Sequence, residues 1–386
     1  MPETYNPCYI IEEKKLRENL TLLRQVSQTA DIKIILALKA FANWRIFPII
    51  REYVSHTTAS SLFEAHLSVE EFGTKTYTYS PAYEDDTFEE LMLYSDHITF
   101  NSLSQYHHFK ALVEEWNRKS HNPISMGLRI NPEYSEITTE LYNPCAPGSR
   151  FGIPSSQLQA IPEGIEGLHF HCLCENDSIS LAHTLEHVEK RFGHLLSKIK
   201  WLNMGGGHLI TRKGYNIQLL IDTLHALKQK HPNLELIIEP GSAFLWQTGY
   251  LVSRVIDIVE NHHIKTAILN VSFTCHMPDC LEMPYHPEVR GAKVIEDASH
   301  TDISSKNIYR LGGNSCLSGD YMGYWMFEKP LKIGDEIIFE DMIHYTTVKT
   351  NMFNGINHPS LAIKHLDNST ELLRNYTYED YKLRMD

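Results

Sequence analysis

Through the first 240 or so positions, short apolar runs alternate with longer stretches whose apolar residues recur every three or four positions. Runs of the first kind read as strands and stretches of the second as helices. Eight β-like runs stand out, at 32–38, 56–60, 76–80, 97–100, 125–130, 167–172, 201–204 and 234–239. Leu16, Leu20 and Leu23 mark a helix over 12–26, and further helical spacing covers 62–72, 104–116 and 217–230. Eight alternating β and α units predict an α/β fold, a (β/α)8 barrel of the TIM type. Past about residue 245 the pattern changes, and strand-like segments such as YLVSRVIDIV, KTAILNVSF and DEIIFE dominate. We therefore expect a barrel over 14–245. A β-rich domain, sandwich or small barrel, is expected from 1–13 and 246–386, with a strand near Tyr9–Ile11 pairing into it.

Composition narrows the class. A 42% hydrophobic and 22% charged chain is ordinary for a soluble globular protein. No apolar run approaches the roughly 18 residues of a membrane span, and the N-terminus MPETYNPCYIIEEKK lacks a signal-peptide pattern. The net charge of −13 argues against nucleic acid and would tolerate or attract a cationic substrate, although a plain soluble acidic enzyme is the commoner reading. Seven cysteines without a secretory signal suggest free thiols in a cytoplasmic protein.

Barrel enzymes work at the C-terminal ends of their strands, and four of the runs end in chemically interesting residues. Lys39 follows the apolar run Ile34–Leu38; a desolvated lysine has a lowered pKa, so its amine can condense with an aldehyde. By itself such a lysine more often simply reaches to water. In GLHFHC, alternation places His169 and His171 on one face, and a flat imidazole at the strand end can stack on a ring. Cys172 and Cys174 nearby raise a zinc site, but alternation turns Cys172 away and the spacing is no zinc signature. NMGGGH offers Gly205, Gly206 and Gly207 for close backbone approach to a phosphate, or simply for a tight turn. EPGSAF begins with Glu239, a carboxylate able to keep a pyridine nitrogen protonated or to serve as a turn acid. Beyond the barrel, GNSCLSGD sets Cys316 and Asp320 in a loop. A tuned thiol there can exchange a proton; the plain alternative is a loop of the β domain.

Together these pieces resemble the fold-type III, alanine-racemase-like decarboxylases that use pyridoxal 5′-phosphate. The resemblance runs from CYIIEEKKLREN to YTTVKTNMFNG. CAPGSRFG, LHFHCLCE, LNMGGGH, CHMPDCLEMPY and GNSCLSGDYMG look most like the carboxynorspermidine/carboxyspermidine branch. The resemblance implies decarboxylation in polyamine synthesis, with diaminopimelate decarboxylase or another member of the fold type as the alternative. It implies that Lys39 holds the cofactor, that His171 stacks on its ring, and that Gly205–Gly207 and Tyr345 meet its phosphate. Glu239 would face the pyridine nitrogen, and Cys316 would return a proton after CO2 leaves. Asp279 and Asp320 would meet the distal end of the substrate. It further implies a homodimer with shared active sites, no metal, no nucleic acid and no membrane partner. One departure stands out: related ornithine and diaminopimelate decarboxylases usually read EPGR where this chain has Ser242, so an arginine contact is missing or supplied elsewhere. A racemase of the same fold is a rival, though racemases tend to place arginine at the pyridine nitrogen.

Overall fold

The computed structural model describes residues 6–296, 303–304 and 307–386. Positions 1–5 of the expected 1–13 segment, and 297–302 and 305–306 of 246–386, lie outside it. Two compact units divide the chain, Asn19–Phe244 and Met1–Glu18 with Leu245–Asp386.

The Asn19–Phe244 unit is a nearly closed parallel barrel. In spatial order its strands are Lys33–Ile34, Glu235–Ile238, Trp201–Asn203, Ile165–His169, Ser125–Asn131, Ser95–Phe100, Thr76–Tyr79, Thr57–Ala59 and Leu36–Ala37. The run expected as one strand over 32–38 is thus two, parted at Ile35. Ile35 N–H donates to Ile238 O at 3.0 Å, and Leu36 N–H donates to His56 O at 3.1 Å. The first half pairs with the last strand and the second half with the next strand in sequence. This change of partner within one run is what closes the barrel. A short extra strand, Ile153–Pro154, pairs with Ser125–Asn131.

Helices follow most strands, and several carry a side-chain cap at the expected position. Ser61, Ser102, Asp177 and Asn216 accept backbone N–H groups at the starts of Leu62–Leu67, Leu103–Lys119, Ser178–Leu196 and Ile217–Lys230. The expected helix over 62–72 changes after Leu67 into a wider turn over Ser68–Phe72. Ile35, Tyr77, Trp201 and Ile237 pack as one buried cluster. The Trp201 ring fits only because two facing positions have no side chain; a Cβ at Gly167 would lie 2.0 Å from the ring, and one at Gly127 2.2 Å. Its indole N–H is satisfied by Ser125 Oγ at 2.8 Å. Burying such a ring stabilises the barrel by about 3 kcal/mol.

Among the described residues the other unit is a mixed nine-stranded sheet. Its long strand, Gly249–Asn261, pairs antiparallel with Cys8–Glu12, Ile264–Leu269 and Glu336–Glu340. Cys8–Glu12 also pairs parallel with Ser360–Lys364, so chain start and chain end meet in one sheet. Among the described residues no helix is long and apolar enough to cross a membrane.

Candidate active site

Strand ends of the barrel bring one set of the sequence-predicted residues together. Lys39 sits in the turn after Leu36–Ala37, closed by Ala40 N–H to Ala37 O and Phe41 N–H to Leu38 O, both 3.0 Å. The turn buries Leu38 and Ala40 and leaves the Lys39 side chain with accessible surface. Surrounding protein nevertheless desolvates its ammonium and lowers its pKa. The charge of Glu239 opposes that shift and the charge of Arg129 adds to it.

Glu239, one residue past Glu235–Ile238, is 7% exposed, and burial raises its pKa. Asn203, ending the neighbouring strand, donates its amide to Glu239 Oε1 at 2.6 Å and accepts Gly205 N–H at 3.0 Å. One side chain thereby fixes both the acid and the start of the glycine loop. His171 lies two residues past Ile165–His169. Its Nδ1 accepts Gly206 N–H at 2.8 Å, which places a neutral ring's proton on Nε2. Burial holds this imidazole well below its ordinary pKa, and Lys39 and Arg129 push the same way.

The glycines are required by their neighbours. A Cβ at Gly206 would lie 2.5 Å from Glu239 O, and one at Gly207, where φ is +88°, 2.1 Å from Leu173 O. Of the three glycines expected at a phosphate, Gly205 donates its amide to Asn203 and Gly206 donates to His171. The loop thereby bonds His171 directly and reaches Glu239 through Asn203.

The sequence reading missed several members of this set. Arg129 is 5% exposed in the middle of an apolar strand; it donates to His171 O at 3.2 Å and stacks 4.6 Å from the Tyr79 ring. A charge inside SMGLRI was the available signal. His169 is buried with neither ring nitrogen hydrogen-bonded among the described residues, and burial keeps it neutral. Glu64 accepts Ser60 N–H at 2.6 Å, and burial raises its pKa against the charge of Lys39. Ser242 donates to Glu175 Oε1 at 3.0 Å. Where the related motif has a cation, this chain binds a carboxylate.

Cys316, Asp320, Asp279 and Tyr345 form the second set, carried by the sheet unit. Cys316 is exposed, and its backbone N–H donates to Asn354 Oδ1 at 2.9 Å. Asp320 is 4% exposed. It accepts Phe273 N–H (2.7 Å), Thr274 N–H (3.2 Å) and Ser315 N–H (3.1 Å). A carboxylate has about four acceptor positions, so most of Asp320 is committed to pinning the Cys316 loop to Phe273 and Thr274. Asp279, in Pro278–Glu282, accepts Lys349 Nζ at 2.6 Å, and Glu282 accepts the same ammonium at 2.6 Å. Tyr345 has a left-handed backbone, φ +55°, a conformation that costs a non-glycine residue about 1 kcal/mol or more. Among the described residues, no three His, Cys, Asp or Glu side chains are grouped to hold a metal ion.

Comparison with known proteins matches residues 8–343 to the family model described as "Pyridoxal-dependent decarboxylase, C-terminal sheet domain". The chain is 46% identical to a carboxyaminopropylagmatine decarboxylase of a Synechocystis species, over 98% of this chain and 95% of that one. It is 42% identical to a carboxynorspermidine/carboxyspermidine decarboxylase of Campylobacter jejuni, over 98% of both. The crystal structure of the Campylobacter jejuni carboxynorspermidine decarboxylase complexed with norspermidine superposes with a TM-score of 0.88, covering 98% of this chain and 99% of that one at 41% identity.

Proposed function

The chain belongs to the pyridoxal-dependent decarboxylases, and from that premise we propose that it removes the α-carboxylate of carboxynorspermidine or carboxyspermidine, releasing norspermidine or spermidine. The observation that carries this reading is the full-length similarity to an enzyme of that name, together with a norspermidine-bound structure that matches with a TM-score of 0.88. Diaminopimelate decarboxylases are distant relatives.

The barrel-end residues fit pyridoxal phosphate. Lys39 offers an amine with a lowered pKa, on a residue that keeps accessible surface. Glu239 is a buried carboxylate whose raised pKa marks its need for a cationic partner. His171 is a neutral ring held at Nδ1. When bound, the cofactor supplies an electron sink for the pair left on carbon as CO2 departs.

The chain's own residues do the rest. Lys39 would hold the cofactor through Nζ. Glu239, steadied by Asn203, would keep a proton on its pyridine nitrogen. His171 would lie against its ring. Gly207 and Tyr345 would meet its phosphate, while the amides of Gly205 and Gly206 keep Asn203 and His171 in register. Cys316 Sγ returns a proton to the carbon that lost its carboxylate. Asp279 takes an ammonium of the substrate, as it already takes the alkylammonium of Lys349. Asp320 holds the Cys316 loop and offers its remaining acceptor position to a second ammonium. Desolvating those cations is costly unless carboxylates pair with them.

A second reading rests on the 46% identity to the agmatine-derived enzyme, whose substrate ends in a guanidinium instead of an ammonium. The test compares kcat/KM for carboxynorspermidine, carboxyspermidine, carboxyaminopropylagmatine and meso-diaminopimelate. Highest turnover of either carboxytriamine supports the first reading; preference for the guanidinium substrate supports the second. Turnover of diaminopimelate alone overturns both.

A further inference from the structure

Cys172 directly follows His171, and its sulfur lies 3.4 Å from that of Cys145. Both residues belong to the Asn19–Phe244 unit. The two reach each other from separate segments, the loop after Ser125–Asn131 and the chain just past Ile165–His169. We propose that Cys145 and Cys172 form a reversible dithiol–disulfide site, closed by a peroxide, and that closure acts through His171 on the hold over the cofactor.

The two thiols are unequal in the way such a site requires. Cys145 is partly accessible, and Cys172 is buried. The contact with Cys172 lowers the pKa of Cys145, with help from the Tyr134 N–H and the charge of Arg129. Burial pushes the Cys172 thiol up. Cys145 is therefore the attacking thiolate and Cys172 the resolving thiol. The Cys145 sulfur attacks one oxygen of hydrogen peroxide, the O–O bond breaks, and hydroxide leaves, giving a sulfenic acid. The Cys172 sulfur then attacks the Cys145 sulfur; the S–O bond breaks and the departing hydroxide takes the Cys172 proton as water. Two thiols lose two electrons and two protons, and the peroxide becomes two waters. A dithiol reductant reverses the change.

Closure draws the sulfurs together by about 1.4 Å, since a disulfide bond is about 2.05 Å long. The Cys172 segment is already tied down. Its carbonyl accepts Ser135 Oγ at 2.7 Å, the His171 carbonyl accepts Arg129, and His171 Nδ1 accepts Gly206 N–H. Pulling residue 172 loads those bonds, and loosening one is worth about tenfold in affinity.

The experiment uses the full chain in a Cys316→Ser background, so that the exposed thiol of the sheet unit takes no part. The pyridoxal-loaded protein is oxidised with stoichiometric hydrogen peroxide, free thiols are alkylated, and peptides are mapped. We expect a 145–172 cross-link and about tenfold weaker pyridoxal phosphate binding, both reversed by dithiothreitol and both absent once Cys145→Ser is added. No cross-link, a cross-link through Cys174 instead, or a complete 145–172 cross-link with unchanged cofactor affinity overturns the proposal. Neither readout uses turnover, so the outcome stands apart from the choice of substrate.

Discussion

Lys39 shows how one side chain becomes reactive. Its neighbours Leu38 and Ala40 are buried, and a tight turn leaves the residue with accessible surface while its ammonium is desolvated. Arg129 matters here because a cation disfavours a second one. Replacing it by methionine removes a push that lowers the Lys39 pKa, so that pKa rises and less neutral amine is present at neutral pH. We expect Arg129→Met to bind pyridoxal phosphate more slowly at pH 7 and to recover as pH rises. Stopped-flow absorbance across pH reads this directly. Lys39, His171 and Glu239 were legible in the sequence because strand ends are where a barrel does chemistry. Asn203 and Glu175 were not, because their importance lies in partners 36 and 67 residues away. A linear pattern does not display such pairings.

Elements carry the next level of the account. Periodicity showed the barrel's strands and most helices, yet it presented 32–38 as one strand. Apolar periodicity reports burial, not which neighbour a strand bonds, so the break at Ile35 left no mark. The glycine loop was legible as a loop, but its inward-turned amides follow from the positions of Asn203 and His171. Gly206→Ala would press a methyl to 2.5 Å from Glu239 O. We expect a loss of about 1–3 kcal/mol, seen as a lower urea midpoint. A second element-scale test concerns the loop after Ser125–Asn131. Glu136 accepts Ser180 Oγ and His183 Nδ1 on the Ser178–Leu196 helix. The Ser180 hydroxyl, then His183, draw the Glu136 pKa down to about 2, so its contribution is full above the ordinary 4.5 and fades as pH falls through 2. Glu136 raises the His183 pKa above 6.5, so that contribution is full below 6.5 and fades as pH rises through the folded value. The tether is therefore strongest between pH 4.5 and 6.5. Both groups are largely solvated, so its worth is below about 1 kcal/mol. Hydrogen exchange over 134–143, corrected for intrinsic rates, is expected to quicken above this window, and Glu136→Gln is expected to flatten that dependence.

For the whole molecule, the candidate residues are carried by two units of the fold. Lys39, His171 and Glu239 come with the barrel; Cys316, Asp279 and Tyr345 come with the sheet. The net charge of −13 suits a polycationic substrate, though salt screens that attraction beyond about 8 Å. We propose that the working enzyme is a homodimer in which a second copy of the chain completes each site. Mixed dimers of Lys39→Ala and Cys316→Ala chains are then expected to regain activity that neither parent dimer has, up to about one quarter of wild type if chains pair at random. Inactive mixed dimers, proven by mass to have formed, would count against sharing. The central claim is that this chain breaks a carbon–carbon bond and returns one proton to the same carbon. Its most direct test is turnover of carboxynorspermidine in heavy water by the pyridoxal-loaded protein. The expected result is CO2 together with norspermidine carrying a single non-exchangeable deuterium. Recovery of carboxynorspermidine deuterated at its α-carbon, with no CO2 released, would contradict the account and identify a racemase.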